Sequence, residues 1–451
     1  MARKRAATEK ADGGTATLPP ADGGGNAGPE TTGRYIVIYK DEAVADGAAI
    51  RSMLNKVAGL KDVTASADYA GGAMAAADME TGETLHFNTL GIVVVSGEDA
   101  MLALATSASD ADSPILAIEP EYVAYTSSDG QMDYLRGYRD AVNELYDRLA
   151  ARTATDAEGA EILAGFADTP QHTWGLQATR AHTSRFTGQG VKVAVLDTGF
   201  DFNHVDYRGR VIVSQSFVAG VTVQDVNGHG THCVGTACGP LRPASGVRRY
   251  GVATAALIHV GKVFNNAPRP SAPTASIIAG VEWAIRQGCR VASLSLGAAI
   301  NQKILQYEVP MRRALNAGTL VVAAAGNNAN RPSNVGFVEP PANADAAMAV
   351  AAVDSNLRIA QFSARSSTVT GVGGSVNIAA PGVSVFSSVP GGHSFFNGTS
   401  MATPHVAGLA ALVSQATGDV GPALWSRLLQ TARPLGLPSA DVGAGLAQAP
   451  Q

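Results

Sequence analysis

The pattern of apolar and polar residues divides the chain into four parts. Residues 1–33 carry almost no large apolar side chains and are predicted to be disordered. Over residues 34–126, apolar runs follow one another with the periodicity of strand, helix, strand, strand, helix and strand. This order predicts a small α+β domain with a ferredoxin-like arrangement.

The pattern changes again after this small domain. Residues 127–170 are polar, charged and amphipathic, and they are predicted to form a helical connector. Residues 171–451 alternate short β-branched runs with helical runs. Four of these runs are apolar on both faces: VKVAVLD, ALIHVGKVF, RVASLSLG and TLVVAAAGN. Such runs are typical of a parallel sheet with helices on both faces, so this part is predicted to be an α/β domain.

Composition excludes several classes of partner. Hydrophobic residues make up 46% of the 451 residues, which is enough for a large buried core. The net charge of −5 and the charged fraction of 16% give no basic surface for nucleic acid. No apolar run approaches the roughly 20 residues of a membrane span. We therefore expect the protein to bind neither nucleic acid nor membranes. We also expect it to be a monomer.

The first residues bear on localisation. The N-terminal segment has basic residues but lacks the apolar run of a secretory signal. This favours a cytoplasmic protein over one that is secreted by a non-standard route.

Three polar residues follow or begin apolar elements in the α/β part. Asp197 ends one predicted strand, His229 begins a helix between two glycines, and Ser400 begins the last long helix. Catalytic groups of open α/β sheets gather at the carboxyl ends of strands. A serine hydroxyl needs a histidine base to become a nucleophile, and a carboxylate holds that histidine in the right tautomer.

The same edge of the sheet offers a donor for an oxyanion. Asn327 directly follows an apolar strand, so its amide can stabilise a tetrahedral intermediate together with the N–H of Ser400. Each residue also has an ordinary interpretation. Ser400 can be a helix N-cap, Asn327 a turn residue, and Asp197 half of an aspartic protease site, although a second such half is missing.

Five motifs resemble those of the subtilisin-like serine proteases, the subtilases: VAVLDTGF, GHGTHCVG, SLSLG, AAAGN and GTSMATPHVAG. They occur in that family's order and cover residues 171–432. The resemblance implies a catalytic triad of Asp197, His229 and Ser400, with Asn327 as the oxyanion amide. It also implies a set of substrate-binding residues: Ser295, Leu296, Gly297 and Gly326.

The resemblance extends to the organisation of the chain. It implies that residues 34–126 are an inhibitory propeptide, that residues 171–451 are the catalytic domain, and that the substrates are proteins or peptides. Self-cleavage is then expected near YVAYTSSDG. The connector of residues 127–170 is longer than the family's pattern, so it stays on the mature enzyme or is removed at a second site.

The spacing of two cysteines bears on disulfide formation and on the active site. Cys233 and Cys238 lie five residues apart and point in different directions on a helix, so we expect no disulfide between them. Cys233 lies four residues after His229, on the same helix face. The motif GTHC also resembles the proteinase K-like subtilases, in which a cysteine lies near the catalytic histidine. Cys233 is therefore either a small buried residue or a thiol through which mercurials inhibit the enzyme.

Two carboxylates bear on calcium binding and on substrate specificity. The chemistry needs no cofactor, and the metal ligands of the family's calcium loop are missing here, although Asp206 matches one calcium ligand. A structural calcium ion elsewhere stays open. Glu339 stands where the family has a small residue at the floor of the pocket for the substrate residue P1. It is either a surface carboxylate or an acidic floor that attracts Lys or Arg.

Other functions stay open beside a general serine endopeptidase. The alternative is a specialised peptide-maturation protease, or a transpeptidase or cyclase that shields its acyl-enzyme from water. A binding scaffold without catalysis is a third class. It would be expected to lack a triad residue, and this chain has all three.

Overall fold

The structure is a computed structural model that describes residues 29–69, 74–81, 84–126, 165–369 and 372–451. Residues 1–28 of the segment that was predicted to be disordered, and most of the predicted connector, lie outside these residues. Among the helices described, none combines the length and the apolar character that crossing a membrane requires.

The N-terminal unit is a five-stranded sheet in the order β5-β1-β4-β3-β2. Its strands are β1 (Thr31–Tyr39), β2 (Val63–Ala65), β3 (Thr84–Phe87), β4 (Ile92–Val95) and β5 (Ile115–Thr126). Its helices are α1 (Asp41–Val44), α2 (Gly47–Ala58), α3 (Ala76–Thr81) and α4 (Glu98–Ala108), with a 3₁₀ turn at Ser66–Asp68. The two long helices and four main strands follow the predicted ferredoxin-like order. The structure adds the short edge strand β2, which pairs parallel with β3.

Local sequence explains the boundaries of α2. The Asp46 side chain accepts a hydrogen bond from the N–H of Ala49, which satisfies one free donor of the first turn. Gly59 ends the helix in the left-handed conformation with φ of 68°. Both α2 and α4 pack on one face of the sheet, where Val37 and Val93 are buried.

The C-terminal body is built on a seven-stranded parallel sheet in the order β14-β13-β12-β10-β6-β8-β7. The strands after β5 are β6 (Lys192–Asp197), β7 (Ile212–Ser216), β8 (Leu257–Lys262), β9 (Ser271–Pro273), β10 (Val291–Leu294), β11 (Leu296–Gly297), β12 (Leu320–Ala324), β13 (Ala347–Val353), β14 (Ile378–Pro381), β15 (Val385–Val389) and β16 (Gly392–Phe396). The helices are α5 (Trp174–Ala178), α6 (His229–Cys238), α7 (Thr274–Arg286), α8 (Leu305–Asn316), α9 (Thr399–Thr417), α10 (Gly421–Thr431) and α11 (Ser439–Val442), with a 3₁₀ turn at Val205–Tyr207.

The apolar strands of this sheet are covered on both faces, as their sequences predicted. In β6, Val193 and Val195 face the cluster that includes α6 and α9. Ala194 and Leu196 face the opposite cluster, which includes α7 and α8. This two-sided burial confirms the predicted α/β fold with helices on both faces of a parallel sheet.

The two units share a core. The second face of the N-terminal sheet, with Ile36, Ile38 and Val94, belongs to the same apolar cluster as α7 and α8. The N-terminal sheet is therefore enclosed between its own helices and two helices of the body. Without the body, one whole face of this sheet would be exposed to water.

Strand β5 continues from the N-terminal sheet into a groove of the body. Val123, Ala124 and Tyr125 pair antiparallel with β9 on one side. Tyr125 and Thr126 pair antiparallel with β11 on the other side, with Tyr125 opposite Gly297 and Thr126 opposite Leu296. One strand therefore belongs to the small sheet at its start and fills the groove at its end.

The predicted boundary at residue 171 differs slightly from the packing. Residues 165–169 contain no helix. The Phe166 N–H donates to the carbonyl of Ser355 at 2.8 Å, and the Phe166 side chain packs against the core. Contact with the body thus begins within the expected connector, whose residues 127–164 lie outside the described chain.

Candidate active site

A buried carboxylate and a histidine meet at the carboxyl end of the parallel sheet. Asp197 ends β6, and His229 is the first residue of α6. The Nδ1 atom of His229 lies 2.7 Å from Oδ1 of Asp197, and both side chains are almost fully buried. Gly230 is required beside them, because a Cβ at this position would lie 2.3 Å from the Gly199 carbonyl oxygen.

The surroundings of His229 favour its protonated form. Burial lowers the pKa of His229, but the charge of Asp197 and the neighbouring Cys233 outweigh burial and hold the pKa well above its usual value. The Nε2 atom is buried and has no hydrogen-bond partner in the described part of the chain. This arrangement suits a base that takes up a proton at Nε2.

Ser400 lies in the first turn of α9, beside strand residues 295–297. Its Oγ donates to the carbonyl oxygen of Ser295 at 3.3 Å, and the Ser295 hydroxyl donates to the Ser400 carbonyl at 2.8 Å. Cys233 joins Ser400 to the histidine helix, since its Sγ lies 3.6 Å from the Ser400 carbonyl oxygen and 3.9 Å from Nδ1 of His229. The three residues predicted to form the triad therefore lie in one connected cluster.

Asn327 faces the turn that leads into Ser400. Its side-chain oxygen accepts from both the N–H and the hydroxyl of Thr399, each at 2.9 Å. These bonds fix the amide so that its Nδ2 faces Gly398. A Cβ added at Gly398, which has φ of 147°, would lie 3.3 Å from that nitrogen. Glycine thus keeps open the space that the Asn327 amide and the Ser400 N–H share.

The predicted substrate-binding residues line the groove that β5 fills. Leu296 and Gly297 pair with Thr126 and Tyr125, and the carbonyl of Ser295 faces the Ser400 hydroxyl. Gly326 follows β12 with φ of 118°, a backbone conformation that favours glycine. These residues frame an extended main chain with the Ser400 hydroxyl at its end.

Asp206, the residue that matches a calcium ligand, is satisfied by protein donors. It accepts from the N–H of Ser245 at 2.7 Å, from the Tyr250 hydroxyl at 2.8 Å and from Nε2 of His393 at 2.8 Å. Calcium needs several oxygen ligands, and this carboxylate is surrounded by hydrogen-bond donors instead. The residues at this position do not fit calcium.

His204 completes a group that could geometrically hold a transition metal with Asp206 and His393. However, its Nδ1 accepts from the Asp206 N–H at 3.2 Å, and its Nε2 lies 2.7 Å from the Gly392 carbonyl. Both ring nitrogens therefore have protein partners, and the group is accounted for as a hydrogen-bond network.

Two supporting residues were missed from the sequence. Asp225 accepts from the N–H groups of Gly228 and Thr231 at 3.0 and 2.9 Å, and so caps the helix that begins at His229. Lys262, at the end of β8, is fully buried and donates to the carbonyl of Thr198. The position of Asp225, four residues before His229, is a signal that could have found it. The position of Lys262 beside Asp197 depends on the pairing of β6 with β8, which the sequence alone does not show.

The cysteines and remaining helix histidines have structural surroundings. Cys233, Cys238 and Cys289 are free and buried, which agrees with the predicted absence of a disulfide between Cys233 and Cys238. Burial lowers the pKa of His232 to about 3 and that of His405 to about 4, so both rings are neutral at neutral pH.

Comparison with known proteins agrees with these motifs. The model of the subtilase family matches residues 188–445. M-protease from Shouchella clausii (strain KSM-K16) is 43% identical over 263 residues, which cover 57% of this chain and 63% of that protein. Alkaline elastase YaB from Bacillus sp. (strain YaB) is 42% identical over 253 residues, covering 54% of this chain and 60% of the relative.

A third relative is matched over more of its length. Subtilisin Savinase from Lederbergia lenta is 44% identical over 247 residues, covering 54% of this chain and 84% of that protein. For the first two relatives, the match spans 63% and 60% of their length. The family model alone covers more than half of the 451 residues, in the part that contains Asp197, His229 and Ser400. This chain belongs to the subtilase family of subtilisin-like serine peptidases.

Proposed function

We propose that the chain is a serine endopeptidase that cleaves protein or peptide substrates through an acyl-enzyme on Ser400. The path of β5 supports this function most strongly. Its last residues lie between β9 and β11 as an added antiparallel strand. Extended peptides bind to sheet edges in this way, and the strand leads directly toward Ser295 and Ser400.

The proposed reaction begins with proton transfer. The Ser400 hydroxyl turns from the Ser295 carbonyl toward Nε2 of His229, gives up its proton and attacks the substrate carbonyl carbon. Asp197 holds Nδ1 of His229 and stabilises the imidazolium that forms. His229 then delivers the proton to the leaving amine, and water releases the acyl group by the reverse sequence.

The developing oxyanion needs donors that are already in place. The N–H of Ser400, in the first turn of α9, and the Nδ2 amide of Asn327 supply them in this proposal. The bonds from Thr399 to the Asn327 oxygen orient the amide before substrate binds. The reaction itself needs no cofactor.

We also infer that residues 34–126 act as an inhibitory propeptide. Two carboxylates of β5 support this role, because each accepts from the first N–H groups of a body helix. Glu121 accepts from the N–H of Ala275 at 2.8 Å, and Glu119 accepts from the N–H groups of Leu305 and Gln306, each at 2.9 Å. The N-terminal unit thus stabilises both helices while its last strand occupies the groove.

The test measures hydrolysis of an unstructured peptide by wild type, Ser400→Ala and the surface control Ser426→Ala. We expect activity to fall by about 10⁶ in Ser400→Ala, the loss known for subtilisin itself. Ser426→Ala should retain wild-type activity, and a serine-directed phosphonate should label wild type but not Ser400→Ala. Equal activity of wild type and Ser400→Ala would disprove the proposed mechanism.

A further inference from the structure

Glu339 lies between the two elements that frame the end of the groove. Its N–H donates to the Ala325 carbonyl at 3.1 Å, which ties it to the residue after β12. A Cβ added at Gly297 would lie 2.4 Å from Oε2 of Glu339, and a Cβ at Gly326 would lie 3.2 Å from its Cδ. The absence of side chains at both glycines makes room for this carboxyl group.

The strand register defines which substrate side chain approaches Glu339. Tyr125 is directly opposite Gly297, and side chains of directly opposite residues project to the same face of a sheet. The residue two positions further along an extended chain projects to that face again. Glu339 lies on the side toward which a side chain at Gly297 would project. In a substrate that continues the strand, the residue two positions beyond Tyr125 therefore faces Glu339.

The same position is the one that reacts. Two residues beyond Tyr125, an antiparallel substrate lies opposite Ser295, since Gly297 is two residues after Ser295. The Ser295 carbonyl accepts from the Ser400 hydroxyl at 3.3 Å. The substrate residue opposite Ser295 therefore presents its carbonyl group to Ser400 and its side chain to Glu339. It is the residue on the acyl side of the bond to be cut, P1.

Among the described residues, no cation forms an ion pair with Glu339. Its Oε1 accepts from the Asn328 amide at 2.7 Å, and Oε2 is the oxygen directed at Gly297. Burial raises the pKa of Glu339 to about 7, and the Asn328 hydrogen bond only partly opposes this rise. In the part of the chain that the structure describes, the groups against this carboxyl are Gly297, Gly326 and Asn328, which are all uncharged.

We propose that Glu339 selects substrates with Lys or Arg at P1, because a substrate cation would neutralise a partly buried carboxylate whose one side-chain partner, Asn328, carries no charge. This inference rests on the proposed serine endopeptidase function. Glu339 is then the acidic floor of the P1 pocket and not a surface carboxylate.

In the sequence, Ser127 is two residues after Tyr125 and lies outside the described residues, so cleavage of the chain itself at that point would have serine at P1. An intramolecular strand is already held by main-chain pairing and by Glu119 and Glu121. Its cleavage therefore does not depend on an ion pair at P1. With serine at P1, the cleaved strand would also leave without breaking such a pair.

The experiment uses five peptides that differ only at P1, with Arg, Lys, Gln, Leu or Glu. We measure kcat/KM at pH 8.5 for wild type, Glu339→Gln and the surface control Asp419→Asn. Wild type and Asp419→Asn should prefer Arg or Lys over Gln by about 10- to 100-fold, as expected for a partly desolvated ion pair. Glu339→Gln should lose this preference and still cleave the Leu peptide.

A second measurement keeps the test independent of how the variant folds. In wild type, the ratio of kcat/KM for Arg and Leu peptides should rise as pH increases through about 7, where Glu339 ionises. His229 affects both substrates equally, so its titration cancels in this ratio. Equal preference at every pH, with clear cleavage of both peptides, would overturn the inference alone. Failure to cleave any of the five peptides would overturn the proposed function together with it.

Discussion

The sulfur of Cys233 lies 3.9 Å from Nδ1 of His229, the same ring nitrogen that lies 2.7 Å from Asp197. The two residues are one helical turn apart in α6, and the sulfur also contacts the Ser400 carbonyl. A ligand bound to this sulfur would displace the histidine and the serine main chain together.

We therefore expect mercurials to inactivate the enzyme through Cys233. Peptide hydrolysis should stop after addition of mercuric ion, and Cys233→Ala should keep most of its activity under the same treatment. Inactivation should be slow, because burial raises the pKa of the Cys233 thiol even though His229 opposes this rise. The matched control is Cys289→Ala, which should be as sensitive as wild type. Equal sensitivity of Cys233→Ala would exclude this mechanism.

The acid limb of the pH–rate profile should report His229. The ring acts as a base only when it is neutral, and Asp197 and Cys233 hold its pKa above the usual value. Activity should therefore rise with pH through this elevated pKa. Asp197→Asn removes the charge that raises the pKa, so the acid limb should move to lower pH. Its kcat should also fall by about 10⁴, the loss known for this change in a chymotrypsin-type triad. An unchanged acid limb would mean that another group controls it.

Asn327→Leu should lower kcat by about 10²–10³ with little change in KM, the loss known for the oxyanion amide of subtilisin. The amide is expected to act on the transition state and not on the bound substrate. Because the Asn327 oxygen also accepts from Thr399, we include Thr399→Val, which removes the hydroxyl bond but keeps the amide. Thr399→Val should lose much less activity. If Thr399→Val lost as much activity as Asn327→Leu, the fall in kcat would come from a changed shape of the turn and not from the missing amide.

Self-processing should depend on Ser400. After expression, wild type should yield two fragments whose masses add up to that of the intact 46.0 kDa chain plus one water. The cut is expected close to residue 126, because β5 ends there beside Ser295 and Ser400. Ser400→Ala should remain whole. A cut near residue 170 would assign the connector to the prosegment, and a wild-type chain that stays whole would contradict self-processing.

Arg313 should control how long the cleaved N-terminal unit stays bound. Its guanidinium donates to the Tyr39 carbonyl at 2.5 Å and to Asp41 at 2.8 Å, and it also donates to the Leu90 carbonyl. Arg313→Ala should shorten the lag before activity appears, whereas Arg358→Ala, at an exposed ion pair, should not. A lag equal to that of wild type would show that the β5 strand and the shared core hold the complex without Arg313.

Mild acid alone should not break this contact. Hydrogen bonds from Arg312 and Arg313 lower the pKa of Asp41 to about 2. A lowered carboxylate pKa preserves the ion pair above that pH and loses it only as pH falls through about 2. The lag for wild type should therefore not shorten between pH 8 and pH 5 through loss of the Asp41 charge.

Much of the fold and of the candidate active site could be predicted because their signals are local. The strand that ends at Asp197 is a continuous apolar run, and the glycines beside His229 and Ser400 mark close approaches of the backbone. The chemistry of a serine, a histidine and a carboxylate then limits the function. The structure brings these residues together because parallel strands end at one edge of the sheet.

The rest depends on contacts between distant parts of the chain. The partners of Asp206 include His393, which is 187 residues away, and no local pattern indicates that this histidine replaces a cation. The orientation of Glu339 depends on Gly297 and Gly326, which belong to two other segments. The short strand β2 was missed because three residues carry too little periodicity to be recognised.

Strand β5 pairs with β1 as far as Tyr122 and with β9 and β11 from Val123 to Thr126. The length of β5 therefore matches the distance from the small sheet to Ser400. In the proposed self-cleavage, the position of the bond is set by the number of residues that follow Glu121 and not by the chemistry of the residues around the bond. Substitutions at the cut can accumulate without moving it. Insertion of a single residue after Glu121 would present the neighbouring bond to Ser400 and turn every side chain of the tail to the opposite face.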